Sequence, residues 1–314
     1  MRTTSIFQNF TDQESLVKEL LDIDRFRLCP CYERASHQKI QKYDFTPFLK
    51  ELDHGAERLM ILLSKIDNAA LKERIQDMLN KILFQKKVYM DKVVYTLRTS
   101  DVKPFTKICL MLHGMLDCAE NFAKLAPEVD DVLYVVPQAF KTCYPLPGIF
   151  PLAWNYQWFS LGSGSFFKPN PATIKEGLEE NRPFLLQWID DLALLVGGYE
   201  HVIVCGFSQG AVVALDLLTQ SQLLKYVISV AGGMHPDISL VPSRVIKKAL
   251  LIHCPKDRIV PFYASKDAEK RLLDLGAEVE LRQPIKHGHL IFTDTLGQKC
   301  MKDFIKGDPI SPQT

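Results

Sequence analysis

The segment Val202-Ile203-Val204-Cys205-Gly206-Phe207-Ser208-Gln209-Gly210-Ala211-Val212-Val213 constrains this chain more than any other. A short apolar run leads into Gly-x-Ser-x-Gly, and residues suited to a helix follow. A strand that turns into a helix so abruptly forces the central Ser208 into a tight, strained backbone conformation, its hydroxyl projecting above the sheet. Gly206 and Gly210 leave room for strand and helix to cross where a Cβ would collide. The turn also sets Ser208 at a helix N-terminus, whose N–H groups steady developing negative charge. Gly-x-Ser-x-Gly alone arises often by chance; the flanking strand and helix supply the context it requires.

The surroundings extend that pattern. From about Val88 onward, apolar runs alternate with helical ones. The strand candidates are Val93–Leu97, Ile108–Leu112, Val132–Val136, Val202–Cys205, Tyr226–Val230, Leu250–His253 and Val279–Arg282. The middle ones are continuously apolar, as strands buried on both faces of a parallel sheet must be. Helices are expected over Ala119–Leu125, Thr173–Val196, Ala211–Gln220 and Ala264–Leu275. This alternation predicts an α/β fold with a doubly wound, mainly parallel sheet.

The first ninety residues differ in character. Thr11-Asp12-Gln13-Glu14 reads as a capping box before Leu16, Val17, Leu20 and Leu21 at helical spacing. Further amphipathic helices start near Pro47 and Asn68. The expected organisation is a helical N-terminal extension over 1–90 and an α/β domain over 91–310. The extension either covers apolar surface within the chain or docks a protein partner or membrane surface.

Composition narrows the function classes. A formal net charge of +1 gives no electrostatic reason to expect a nucleic-acid partner. No apolar stretch approaches the roughly 18–20 residues of a membrane span. The N-terminal segment lacks the apolar core of a secretory signal. Eight cysteines are scattered, with Cys109, Cys205 and Cys254 inside apolar runs. That usage fits reduced thiols and a cytoplasmic location. Cys29-Pro30-Cys31 with His37 has no second ligand cluster at zinc spacing, so it reads as free thiols in a turn and no metal is expected.

One stretch fits neither helix nor strand. Residues 141–171 carry five prolines and a run of aromatics that includes Tyr144, Phe150, Trp154, Trp158, Phe159 and Phe166. A loop of this length is either a lid or pocket wall, or an irregular plug of the core.

In open α/β sheets the site lies beyond the carboxyl ends of the strands. Ser208 is so placed. Asp257 follows Leu250-Leu251-Ile252-His253, where a carboxylate either supports an imidazolium or pairs in solvent with Lys256 or Arg258. His287 and His289 share a Gly-containing loop after Val279–Arg282. Ser, then acid, then His in chain order is the order of the α/β-hydrolases. Leu110-Met111-Leu112-His113-Gly114-Met115 offers an early loop for an oxyanion hole, with the N–H of Met115 and that of Gln209 as donors.

Gly206-Phe207-Ser208-Gln209-Gly210-Ala211, His113-Gly114-Met115-Leu116-Asp117, Gln157-Trp158-Phe159-Ser160, Glu180-Asn181-Arg182 and Gly288-His289 together resemble the phospholipase/carboxylesterase family, which includes the acyl-protein thioesterases. The resemblance spans about Lys107 to Ile305. It implies Ser208 as nucleophile, His289 as general base and acid, Asp257 as its orienting carboxylate, and Met115 and Gln209 as oxyanion donors. It selects His289 over His287, because the family's His follows Gly. Trp158, Phe159 and Leu116 are the expected substrate-binding residues. The implied activity is hydrolysis of small acyl esters or acylated proteins, with no cofactor. Cys254 stands where relatives often have Gly, and the N-terminal extension has no counterpart in compact members. The rival class is a non-catalytic interaction protein on the same scaffold.

Overall fold

The structure is a computed structural model that describes residues 40–66, 68–98, 105–143, 156–162, 169–239, 241–285 and 288–307. The expected helix after Thr11 and the Cys29–His37 segment lie outside the described residues, as do His287 and most of the aromatic stretch. Two units are present: one spans Asp44–Asp91, and the other begins at Lys92 and takes in the short segment before Asp44.

The first unit is a pair of helices, α1 (Thr46–Leu63) and α2 (Ala69–Tyr89), packed on each other. Pro47 opens α1, where its missing N–H costs nothing. Asn68 caps α2 by accepting the Leu71 N–H at 3.1 Å. Each helix carries a buried stripe at helical spacing: Phe48, Leu52, Leu59 and Leu62 on one, Ile75, Leu79 and Ile82 on the other. Tyr89 closes the pair, its ring 5.0 Å from Phe45 and 5.2 Å from Phe48.

The second unit is built on an eight-stranded sheet. Its strands are β1 (Gln41–Lys42), β2 (Val94–Arg98), β3 (Lys107–Leu112), β4 (Val132–Pro137), β7 (Val202–Phe207), β8 (Tyr226–Val230), β9 (Lys248–Ile252) and β10 (Glu278–Arg282). A separate two-residue hairpin pairs β5 (Lys141–Thr142) with β6 (Tyr156–Gln157). The spatial order is β1-β2-β4-β3-β7-β8-β9-β10. The first two neighbour pairs are antiparallel and the rest parallel. All seven strands expected from the apolar runs are present. Ile108–Leu112 and Val132–Pro137 are buried throughout, because helices cover both faces.

Period two assigns those faces. Cys109 and Met111 of β3 point into a cluster with Phe122 of α3 (Ala119–Ala123) and Met301 and Ile305 of α7 (Thr295–Lys306). On the helical side that β3 and β7 also contact lie α4 (Pro171–Val196) and α5 (Gln209–Gln220). Along the outer edge, α6 (Tyr263–Asp274) contacts β10. Arg182 of α4 grips Asp216 of α5 through two parallel hydrogen bonds of 2.9 and 2.8 Å. Burial raises the Asp216 carboxyl, and the Arg182 bonds pull against that.

Hydropathy gives no sign of β1, β5, β6 or α7. The strands are two residues long, too short for any alternation. On α7 the buried positions Gly297, Cys300, Met301 and Ile305 have helical spacing, but Gly and Cys make a weak apolar stripe. No helix among the described residues is long and apolar enough to cross a membrane.

The topology fixes where ligands can sit. After β3 the chain steps to β4 on one side, then crosses back to β7 on the other. The crevice at such a switch, beyond the carboxyl ends of β3 and β7, is where open α/β sheets bind their ligands.

Candidate active site

Ser208 occupies the one-residue turn between β7 and α5, with φ 52° and ψ −115°. For a residue with a Cβ this costs on the order of 1–3 kcal/mol and persists only where its surroundings enforce it. The enforcing contacts are backbone. The Ser208 N–H donates to Val230 O at 2.8 Å. A Cβ on Gly206 would fall 2.2 Å from Gly210 O, and one on Gly210 would fall 2.1 Å from Leu112 O. Only glycine lets α5 cross β7 and β3 this closely.

The Ser208 Oγ lies 2.9 Å from His289 Nε2, and His289 Nδ1 lies 2.7 Å from Asp257 Oδ2. Gly288, with φ 55°, turns the loop that presents the imidazole. Asp257 sits in the loop after β9, its side chain fully buried. Its Oδ1 accepts the N–H of Ile259 at 2.8 Å and of Val260 at 3.0 Å. His253 Nε2 is 3.3 Å from its Oδ2. Burial alone would push the carboxyl up, but hydrogen bonds from His253, His289 and the Ile259 N–H outweigh it and hold Asp257 well below the usual carboxylate range. With Asp257 ionised, the neutral His289 carries its proton on Nδ1 and leaves Nε2 free to accept the serine proton.

The loop after β3 is held from beneath. His113 is buried, and its Nε2 accepts the Ala139 N–H at 3.1 Å, so its proton is on Nδ1 and goes to Gly114 O at 2.7 Å. Burial lowers the His113 pKa, in keeping with a neutral ring. The Trp158 indole N–H donates to His113 O at 2.9 Å. Leu116 has φ 68°, and its N–H donates to Tyr156 O at 2.9 Å. Among the described residues, the N–H groups of Met115 and Gln209 donate to no protein acceptor. Both residues line a cavity with Ser208.

That cavity has a volume of about 530 Å³ and an apolar wall that includes Phe159, Leu161, Ile174, Val212 and Ile259. Of the residues expected to bind substrate, Phe159 lines it. Trp158 is fully buried behind it, and Leu116 is not on its wall. The Gln209 side chain pins that wall: its Oε1 accepts the Trp158 N–H at 2.7 Å and its Nε2 donates to Phe159 O at 2.7 Å. Asn181 of α4 holds Trp158 O from the other side. Gln209, Trp158 and Asn181 all fall in motifs, but no local pattern reveals these side-chain clamps or the place of Met234 and His235, after β8, on the cavity wall. The described residues contain no group of His, Cys, Asp and Glu able to hold a metal ion.

Similarity to other proteins runs in the same direction. The profile of the family described as Phospholipase/Carboxylesterase matches residues 99–307. The crystal structure of esterase PE8 superposes with a TM-score of 0.57 at 25% identity, covering 68% of this chain and 97% of that one. A phospholipase/carboxylesterase from Dyadobacter fermentans DSM 18053 gives 0.53 at 20% identity, covering 68% and 95%. The Bacillus cereus carboxylesterase gives 0.54 at 14%, covering 72% and 98%. At those identities the last two speak to the fold alone. A comparison with curated proteins returned no match. With its profile matched over well more than half its length and its strand–turn–helix crossing on a mainly parallel sheet, the chain belongs to the phospholipase/carboxylesterase family of α/β-fold hydrolases.

Proposed function

We propose that this protein is a serine esterase that cleaves carboxylic ester or thioester bonds of acyl substrates through an acyl-enzyme intermediate, with Ser208, His289 and Asp257 as its triad. The observation that carries this reading is the unbroken relay from Ser208 Oγ through His289 to Asp257, at 2.9 and 2.7 Å. As Ser208 Oγ attacks the acyl carbonyl carbon, His289 Nε2 takes the hydroxyl proton. The resulting imidazolium is stabilised by the Asp257 carboxylate. The tetrahedral oxyanion lies between the amides of Met115 and Gln209. On collapse, His289 returns its proton to the departing alkoxide or thiolate. Water then attacks the acyl carbon by the same route and frees the acid and the serine. The route needs no metal or organic cofactor.

The apolar cavity beside Ser208 supports an acyl chain of medium length as the group retained in the intermediate. Six described cysteines stand as free thiols, five of them buried, which supports a cytoplasmic location. The helices before about residue 90 form an extension to the hydrolase domain, either a cover for apolar surface within the chain or a docking surface for a protein partner. Labelling with a fluorophosphonate probe, with and without Ser208→Ala, tests the central assignment. Ser208→Ala abolishes labelling and lowers turnover of nitrophenyl esters by about 10⁴–10⁶-fold. Activity near that of the parent protein refutes the nucleophile, and absence of labelling in the parent favours a non-catalytic interaction protein.

A further inference from the structure

Asp257 has a second imidazole beside it. His253 directly follows β9 with no exposed surface, and its Nε2 lies 2.9 Å from Val260 O and 3.3 Å from Asp257 Oδ2, the same oxygen that receives His289. Both neighbours of that nitrogen can only accept: one is a carbonyl and the other an ionised carboxylate. Nε2 therefore carries a proton, which it donates to Val260 O with Asp257 Oδ2 beside it. The far side of the ring is fixed as well. With the ring proton on Nε2, Nδ1 accepts the Ser265 hydroxyl of α6 at 2.5 Å, and the Ser265 oxygen lies 2.8 Å from Gly232 O, beyond β8. The Phe262 ring stands edge-on to the imidazole at 5.7 Å, and the His253 N–H is held by Arg282 O of β10. No solvent reaches the ring.

Taking the triad proposed above as the frame, we infer that His253 is a positioning residue of the reaction: its Nε2–H, anchored on Val260 O, stands 3.3 Å from the Asp257 Oδ2 that binds His289, setting both the direction of the carboxylate and how much of its charge His289 receives. A chain of polar contacts runs from Gly232 through Ser265, His253, Asp257 and His289 to Ser208. It ties three carboxyl-end loops and α6 to the nucleophile. With His253 present, Asp257 is committed at both oxygens: two amide N–H groups hold Oδ1, and two imidazoles meet at Oδ2. Without the His253 donor, Oδ2 is left to His289 alone. The imidazolium formed during catalysis is then held more tightly, and His289 gives up its proton at higher pH. Ion pairing brings Asp257 to this ring as its titratable neighbour among the described residues, and His289 is reached through Asp257. From α6 comes the Ser265 hydroxyl, and from β10 and the turn after β8 come main-chain carbonyls. Lys256 and Arg258, on the same loop, are exposed.

The test is the pH dependence of kcat/KM for a nitrophenyl ester in the full-length protein and three variants. His253→Phe keeps the ring volume and removes the donor. It moves the acid limb of the profile up by about half a pH unit to one unit, with KM little changed. His253→Gln keeps an N–H near the position of Nε2 and returns the limb toward that of the parent. Ser265→Ala frees only the far side of the ring and moves the limb in the same direction by less. An acid limb in His253→Phe that coincides with the parent's overturns the inference, as does a limb in His253→Gln displaced as far as in His253→Phe. Should His253→Phe fail to fold, Ser265→Ala decides, and an unmoved limb there is equally fatal. Failure of the triad itself reads differently, because Ser208→Ala then keeps its activity whatever His253 does.

Discussion

Replacing Asp257 by Asn changes one oxygen for an NH₂ group and alters almost nothing in volume, so its effect follows from counting donors. Asp257 accepts from the Ile259 and Val260 N–H groups on Oδ1 and from His289 on Oδ2, with His253 Nε2 3.3 Å from that same oxygen. An asparagine can face its NH₂ toward only one of these pairs. Turned toward the two amides, it sets donor against donor and leaves two buried N–H groups unsatisfied, at about 1–3 kcal/mol each. Turned toward the imidazoles, it keeps both amide bonds, and this orientation wins. His289 Nδ1 then faces an N–H and must accept. The ring's single proton moves to Nε2, which points it at Ser208 Oγ and can no longer take the serine proton. The expected loss in kcat is about 10⁴-fold, or roughly 5 kcal/mol of transition-state stabilisation. The assay is steady-state hydrolysis of a nitrophenyl ester at neutral pH, with circular dichroism to show that the variant is folded. A folded Asp257→Asn protein that keeps more than about a tenth of the parent activity refutes the tautomer reasoning.

Three further outcomes follow from the same geometry. Because the folded state holds Asp257 well below its usual value near 3.8, the stability it contributes is present at neutral pH and lost as pH falls through about 4 and below; denaturant midpoints of the parent and Asp257→Asn converge over that range. Gly210→Ala puts a Cβ 2.1 Å from Leu112 O, where only backbone can yield, so at least 1–3 kcal/mol of stability and most of the esterase activity are lost together. Gln209→Leu keeps the main-chain donor but strips the buried Trp158 N–H and Phe159 O of their partners, costing about 2–4 kcal/mol by chemical denaturation and raising KM for longer acyl chains. A Gln209→Leu protein as stable as the parent shows that those clamps do not support the cavity wall.

The parts of the fold legible in the sequence are those where local pattern and tertiary environment agree. Ile108–Leu112 and Val202–Cys205 are buried on both faces, so their uninterrupted apolar runs announce central strands. Gly206 and Gly210 announce the crossing because no other residue fits at 2.1–2.2 Å from a carbonyl. Ser208 and Asp257 each follow a readable strand, whereas the loop after Val279–Arg282 offered both His287 and His289, and only the family resemblance singled out His289. What stayed hidden depends on register between distant segments. Gln209 is visible as part of a motif, yet its side chain reaches the main chain fifty residues earlier. His253 reads as the last residue of a strand, and its contact with Asp257 exists only because the intervening loop folds back on itself. Trp158, read as a substrate contact for its aromatic character, instead spends its indole N–H on His113 O.

The close crossing at Gly210 has a wider consequence. The start of α5 rests directly on the carbonyls of Leu112 and His113, with no side chain between them as a spacer. The serine and the early loop are thus two ends of one stiff joint, and their separation cannot be tuned by repacking. Adaptation to new substrates has to come from parts hung on the outside of that joint, such as the walls contributed by Ile174, Met234 and Ile259. Such a division lets specificity drift while the reactive geometry stays constant.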